Sequence, residues 1–273
     1  MGATKHIIPK FPPDASQCLL IPVNKSRMLP IQLWCYACLY KMPLILSKIF
    51  FLIKCKSSIL VIFIFLITKL KKIFIKSKIK QEKRKHKIFL SDKIISNDWF
   101  SPSAYFFYNL LKKLPNNFRY LEIGSYQGNS ALYVANNFQE STVICVDPWL
   151  AYEELKSQDM NAIEKIFDLN ISKFNNINKV KSTSDDFFIK NQTMFDFIYL
   201  DGYHKFDYVL RDCNNAWKFL KKEGVLVCDD YIWSYYEDWL DNPCYAINEF
   251  IKKNNGKLKV LLVTNSQIFI KKL

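Results

Sequence analysis

The sequence is short of glycine and histidine: 6 of one and 3 of the other in 273 residues. So little glycine excludes a collagen-like or linker-dominated chain, and half the residues are apolar, enough for a sizeable core. No second C-x-x-C follows the pair Cys35/Cys38, and no paired-histidine motif accompanies it, which speaks against a zinc site. The other cysteines form no disulfide framework. Cys145 and Cys228 sit inside apolar runs and read as small buried hydrophobes of a reduced, cytosol-facing protein. The front of the chain lacks acid. Residues 1–100 hold 19 Lys+Arg and 4 Asp+Glu, whereas residues 101–273 hold 20 and 21. The basicity therefore belongs to the front and does not predict nucleic-acid binding by the globular part.

That front divides in two. Residues 1–43 have no clean period and carry six prolines, which predicts little stable structure. Residues 44–76 are hydrophobic, but the lysine-free core, 57–68, is only 12 residues long. A bilayer span needs roughly 20. Three readings stand: a span with snorkelling lysines, a basic helix lying in a membrane interface, and a soluble helix packed on the domain. Residues 77–98 read as a basic linker. With this flank, a membrane-associated protein with its globular domain on the cytoplasmic side is expected.

From residue 99 the pattern alternates. Ser101-Pro102 reads as a helix start, and strands are predicted at 119–124, 141–147, 195–201 and 224–230, with a short one at KVKSTS. Helices are predicted between them, including 152–173, 204–222 (ended by Gly224) and 242–254. KLKVLLVT and SQIFIKKL follow with almost no turn between them, so they must be antiparallel. Nearly all-apolar strands alternating with helices predict an α/β, doubly wound, mostly parallel seven-stranded sheet closed by an antiparallel hairpin, in a domain of residues 99–273.

In such sheets ligands bind beyond the carboxyl ends of the strands. Those ends carry Glu122 and Gly124, Asp147, Ser184 and Asp185, the run Asp201-Gly-Tyr-His204, and Asp229-Asp230. Clustered carboxylates are costly unless they bind hydroxyls, an amine or a metal ion. The first loop, LEIGSYQGNSA, is E-x-G-x-x-x-G. The G-x-G-x-x-G of nicotinamide enzymes is missing, which disfavours a dehydrogenase. Each feature also has a plain structural reading: a turn at Asp201-Gly202, a helix cap at Asp229-Asp230, and a helix-start residue at His204.

YLEIGSYQGNS, VICVDPW, FDFIYLDGYHKFDYVLRD and LKKEGVLVCDDYIW, in that order, resemble the class I S-adenosylmethionine-dependent methyltransferases. The likeness is to the D-G-x-H family and to catechol and macrolide-sugar O-methyltransferases, with a Rossmann-like fold. It implies S-adenosyl-L-methionine as cofactor, with Gly124, Ser125, Tyr126 and Gly128 lining its methionine end, Glu122 in support and Ser130 on its carboxylate. It implies Asp147 on the ribose, Ser184 or Asp185 near the adenine, and Asp201 on the cofactor amine where no metal is used. In the catechol branch it implies Mg2+ held by Asp201, Asp229 and Asp230, with His204 in the place of the catalytic base. A small hydroxylated acceptor (sugar, glycolipid headgroup or phenol) is expected, with membrane contact through residues 44–87 and no nucleic acid. The alternative is a noncatalytic, membrane-tethered module that keeps the fold for interaction.

Overall fold

The computed structural model describes residues 44–273. The expectation for residues 1–43, and the Cys35/Cys38 pair, lie outside them. Strands β1 (Arg119–Ile123), β2 (Thr142–Asp147), β3 (Ile177–Lys181), β4 (Phe195–Leu200), β5 (Leu220–Cys228), β6 (Leu258–Val263) and β7 (Ile268–Lys272) form one sheet. Its order is β3-β2-β1-β4-β5-β7-β6. Only β7 runs against its neighbours, pairing antiparallel with β5 and β6. The order reverses at β1/β4, the switch point where a crevice must open. The strands are apolar on both faces because each face is covered. One core gathers Leu121, Ile198, Leu226 and Ile247. The other gathers Tyr120, Phe197, Tyr199 and Val227.

Among the described residues, nine helices flank the sheet or precede it. They are, in chain order, α1 (Leu44–Lys54), α2 (Ile59–Phe74), α3 (Lys76–Phe89), α4 (Ala104–Leu111), α5 (Asn129–Asn137), α6 (Met160–Ile171), α7 (Ser184–Lys190) and α8 (Phe206–Phe219); α9 (Pro243–Lys253) completes the set.

Four boundaries differ from the sequence reading. The 44–68 run is broken at residues 55–58, where Lys56 takes φ 55° and Ser58 caps the next helix through its side chain. Among the described residues, no helix is long and apolar enough to cross a membrane. The basic stretch 77–98 is not a free linker: α3 is docked on the domain by its two buried polar groups. Glu82 accepts from Tyr133 Oη at 2.8 Å, and His86 Nε2 lies 2.7 Å from Asn129 Oδ1. The helix expected over 152–173 starts only at Met160, after Asp159 caps it. Gly224 lies inside β5 rather than at a helix end, with the backbone oxygens of Lys221 and Asp196 within about 3 Å of where a Cβ would sit.

Candidate active site at the carboxyl ends of the strands

Backbone bonds carry the ladder one residue past three strands. Gly124 N donates to Val146 O, Asp201 N to Ile123 O, and Asp229 N to Leu200 O, at 2.8–2.9 Å. Gly124, Asp201 and Asp229 therefore stand side by side at the crevice. Gly124 has φ +85°, and a Cβ there would lie 2.0 Å from Asp201 O, so the two strand ends can approach only because it is glycine. Gly128, also at φ +85°, opens α5 against the Phe167 ring.

The loop between these glycines lines a cleft together with Tyr199, Asp201 and Asp229; Ser125, Tyr126, Gln127 and Ser130 are among its walls. Beside it, Glu122 is fully buried. Its Oε2 accepts from Tyr120 Oη at 2.8 Å. Its Oε1 and the buried Ser125 Oγ make no hydrogen bond of good geometry, although the Ser125 and Ser130 hydroxyls lie close enough to draw on the carboxyl. Burial pushes the Glu122 carboxyl up to about 7, against the pull of Ser130, Tyr120 and Ser125. Two buried polar groups without a well-formed bond beside a cleft are expensive unless a polar ligand completes them.

Asp147, expected at the ribose, is bonded to the backbone of the loop. Its Oδ2 accepts from the backbone N–H of Ser125 and Tyr126, and its Oδ1 from that of Trp149, at 2.6–2.9 Å. Tyr126 and Trp149 both take φ 47°, and the Trp149 indole donates to Tyr126 O at 3.0 Å. Asp147 thus pins two strained turns and turns its oxygens toward the loop rather than the cleft. Burial raises its pKa in spite of the three amides. Ser184 and Asp185 are also engaged elsewhere. Asp185 pairs with Arg211 at 2.8 Å. Ser184 supports Asp212, whose carboxyl burial lifts to about 6. Neither lines the cleft.

On the other side of β4, His204 sits among three carboxylates. Its Nδ1 is 2.8 Å from Glu154 Oε2, and its Nε2 is 3.4 Å from Asp201 Oδ1 and 3.2 Å from Asp230 Oδ2. Glu154 Oε1 also accepts from Tyr236 Oη at 2.6 Å, and Trp233 presses its ring against the imidazole at 5.2 Å. Burial alone would depress the His204 pKa, but Asp230, Asp201 and Glu154 overcome it and hold the ring well above its ordinary value. The ring is therefore protonated at neutral pH, where an unperturbed histidine would be neutral. Glu154 is held low by the bond to His204, against its own burial. Asp230, at φ 51°, is raised to about 6 by burial, with His204 pulling the other way.

The trio whose ligand atoms converge is Asp201, His204 and Asp230, all within 4.8 Å of one another. Asp229, expected as a metal ligand, is not in it. Its Oδ2 lies against Tyr199 Oη and accepts from Gln267 Nε2 at 3.0 Å, and its Oδ1 accepts from Asp230 N at 2.8 Å. Burial and the charges of Asp201 and Asp230 push its pKa well up. Asp229 forms the wall between the loop cleft and a second, smaller cavity lined by Gly202, Tyr203, His204 and Asp212. Sequence reasoning missed Glu154 and Gln267. The pair Glu153-Glu154 in an otherwise aromatic loop was the available signal for the first. Gln267 had none, because only the antiparallel return of β7 brings it under Asp229.

A family model described as a methyltransferase domain matches residues 121–231. An uncharacterized protein of Acanthamoeba polyphaga mimivirus is 25% identical over 146 residues, 51% of this chain and 65% of its own. The chain thus spans less than two thirds of that relative's length. Among solved structures, a Staphylococcus aureus protein assigned as a caffeoyl-CoA O-methyltransferase is 14% identical, with a TM-score of 0.51. That match covers 76% of this chain and 100% of the other. The O-methyltransferase TomG of Streptomyces achromogenes, solved in complex with S-adenosylmethionine, is 14% identical, with a TM-score of 0.48, covering 77% and 96%. The likeness to the first of these is one of fold.

Proposed function

We propose that this chain, whose residues 121–231 match a methyltransferase-domain model, is a class I S-adenosylmethionine-dependent methyltransferase that moves a methyl group from that cofactor to the hydroxyl oxygen of a small acceptor. The single observation that carries this reading is the imidazole of His204, oriented by Glu154 on one nitrogen and facing Asp201 and Asp230 with the other, with Asp201 beside the glycine loop. S-adenosylmethionine, when bound, supplies a sulfonium-activated methyl group. The chain's own part is to hold, align and deprotonate. The Ser125 Oγ and the Ser130 hydroxyl fit a carboxylate, and Asp201 fits an ammonium, so the methionine end belongs in the loop cleft.

Deprotonation falls to His204 Nε2. Glu154 fixes the tautomer by accepting from Nδ1, as a carboxylate does in other base-orienter pairs. Three carboxylates around one imidazole leave an excess of negative charge even with the ring protonated, which fits a divalent cation. Asp201 and Asp230 would hold it, with His204 Nε2 left free to take the proton, and there it would lower the pKa of an acceptor hydroxyl. The test is transfer of labelled methyl from S-adenosylmethionine into sugar and lipid fractions. We expect incorporation that falls by about 10²–10⁴ in His204→Ala. An Asp201→Asn variant that keeps full activity with and without chelator removes the cation from this account. The noncatalytic reading predicts cofactor binding with no incorporation in any fraction.

A further inference from the structure

Helix α2 is mostly apolar, and the protein buries only one side of it. Val61, Phe65 and Thr68 face inward. Thr68 Oγ1 lies 3.4 Å from the Val263 N–H at the edge strand β6, and the helix thereby covers the open edge of the sheet. The opposite face carries Ile59, Leu60, Phe63, Leu70, Ile73 and Phe74, from 57% to 87% exposed. At 100° per residue these fall on one continuous stripe. Lys71 falls at one border, exposed, where a long cationic side chain can reach outward from an apolar bed, while Lys69 at the other border bonds Asn265.

A soluble helix does not leave six large apolar side chains bare without an occupant. Charge decides among three candidates. Residues 44–89 hold 13 Lys+Arg and one acidic residue, Glu82, which is itself buried. Burial first, and then the charges of Lys48 and Lys72, pull the Lys69 ammonium down to about 8. A second copy docked on this face would set two such surfaces against each other. Residues 1–43 are cationic as well, with five Lys+Arg to one Asp. An anionic lipid surface complements both the stripe and the charge.

We infer that α2 is an in-plane membrane-binding helix, whose exposed stripe enters the headgroup and acyl boundary while the surrounding lysines engage anionic lipids. The inference does not rest on methyl transfer.

Vesicle flotation with the full chain tests it, comparing phosphatidylcholine alone with phosphatidylcholine containing about one third phosphatidylserine. The expected result is at least a ~10-fold preference for the anionic vesicles, weakening with salt. It should be lost in Phe63→Glu/Leu70→Glu, whose melting temperature stays unchanged because both side chains are exposed. A separate variant, Lys71→Glu/Lys76→Glu, should lose the anionic preference without unfolding. Failure of the full chain to bind either vesicle overturns the inference. So does self-association that Phe63→Glu/Leu70→Glu abolishes, or a cross-link placing residues 1–43 on the stripe.

Discussion

His204 is where charge and geometry meet most closely. Its folded pKa lies well above 6.5 because Asp230, Asp201 and Glu154 outweigh its burial. The sign follows directly. At neutral pH the ring starts protonated, and only the deprotonated ring can take a proton from an acceptor. In the metal-free enzyme kcat/KM should therefore rise with pH and level off only above an apparent pKa well over 6.5. Glu154→Gln removes one of the raising charges and the Nδ1 orienter. It should lower that apparent pKa and cut kcat by about 10-fold or more, while leaving cofactor affinity unchanged. An inflection at or below 6.5 in the wild-type profile would contradict this. The same charges couple to stability. A raised histidine pKa contributes stability that is complete below the unfolded value and is lost as pH rises through the folded one.

Loops and helices decide how the acceptor side is built. Residues 231–242, which follow Asp230, are tied together by the fully buried Asn242. Its Oδ1 accepts from the backbone N–H of Tyr235 and Tyr236, and its Nδ2 donates to Tyr236 O and Asp238 O. The α1–α2 elbow braces the same loop. Trp239 packs on Phe50 and Phe51, and Ser57 Oγ lies 3.2 Å from Tyr231 Oη. Asn242→Ala strands four backbone groups at a cost of about 1–3 kcal/mol. We expect a higher KM for the acceptor with S-adenosylmethionine affinity intact; equal loss of both would mean that the loop serves the whole site. The strands were legible in the sequence because a doubly covered parallel sheet writes apolar runs, and the closing hairpin because its turn is too short for a crossover. The packed helix at 76–89 was not, because its anchoring polar pair, Glu82 and His86, is hidden in a basic run. For Asp147 and Asp229, expected at the ribose and at a metal ion, the structure adds the partners they already hold. Carboxylates at strand ends look alike in sequence, and only the fold shows which are spent on backbone amides, a tyrosine and a glutamine.

At the scale of the whole molecule, two features of unlike origin sit at one edge of the sheet. The switch point opens the glycine-loop cleft between β1 and β4. The unusual strand β7 then carries Gln267 back beneath Asp229, so the antiparallel return helps to hold the catalytic edge. Everything proposed for the chemistry depends on one premise: the loop cleft takes S-adenosylmethionine. Calorimetric titration of the full chain with that cofactor, in chelator, is the most direct measurement. The account predicts one site per chain with a Kd in the range of about 1–100 μM, weakened at least ~10-fold by Ser130→Ala or Ser125→Ala, each a lost carboxylate contact worth about 1.5–3 kcal/mol. No heat of binding, or binding that neither substitution alters, would contradict it.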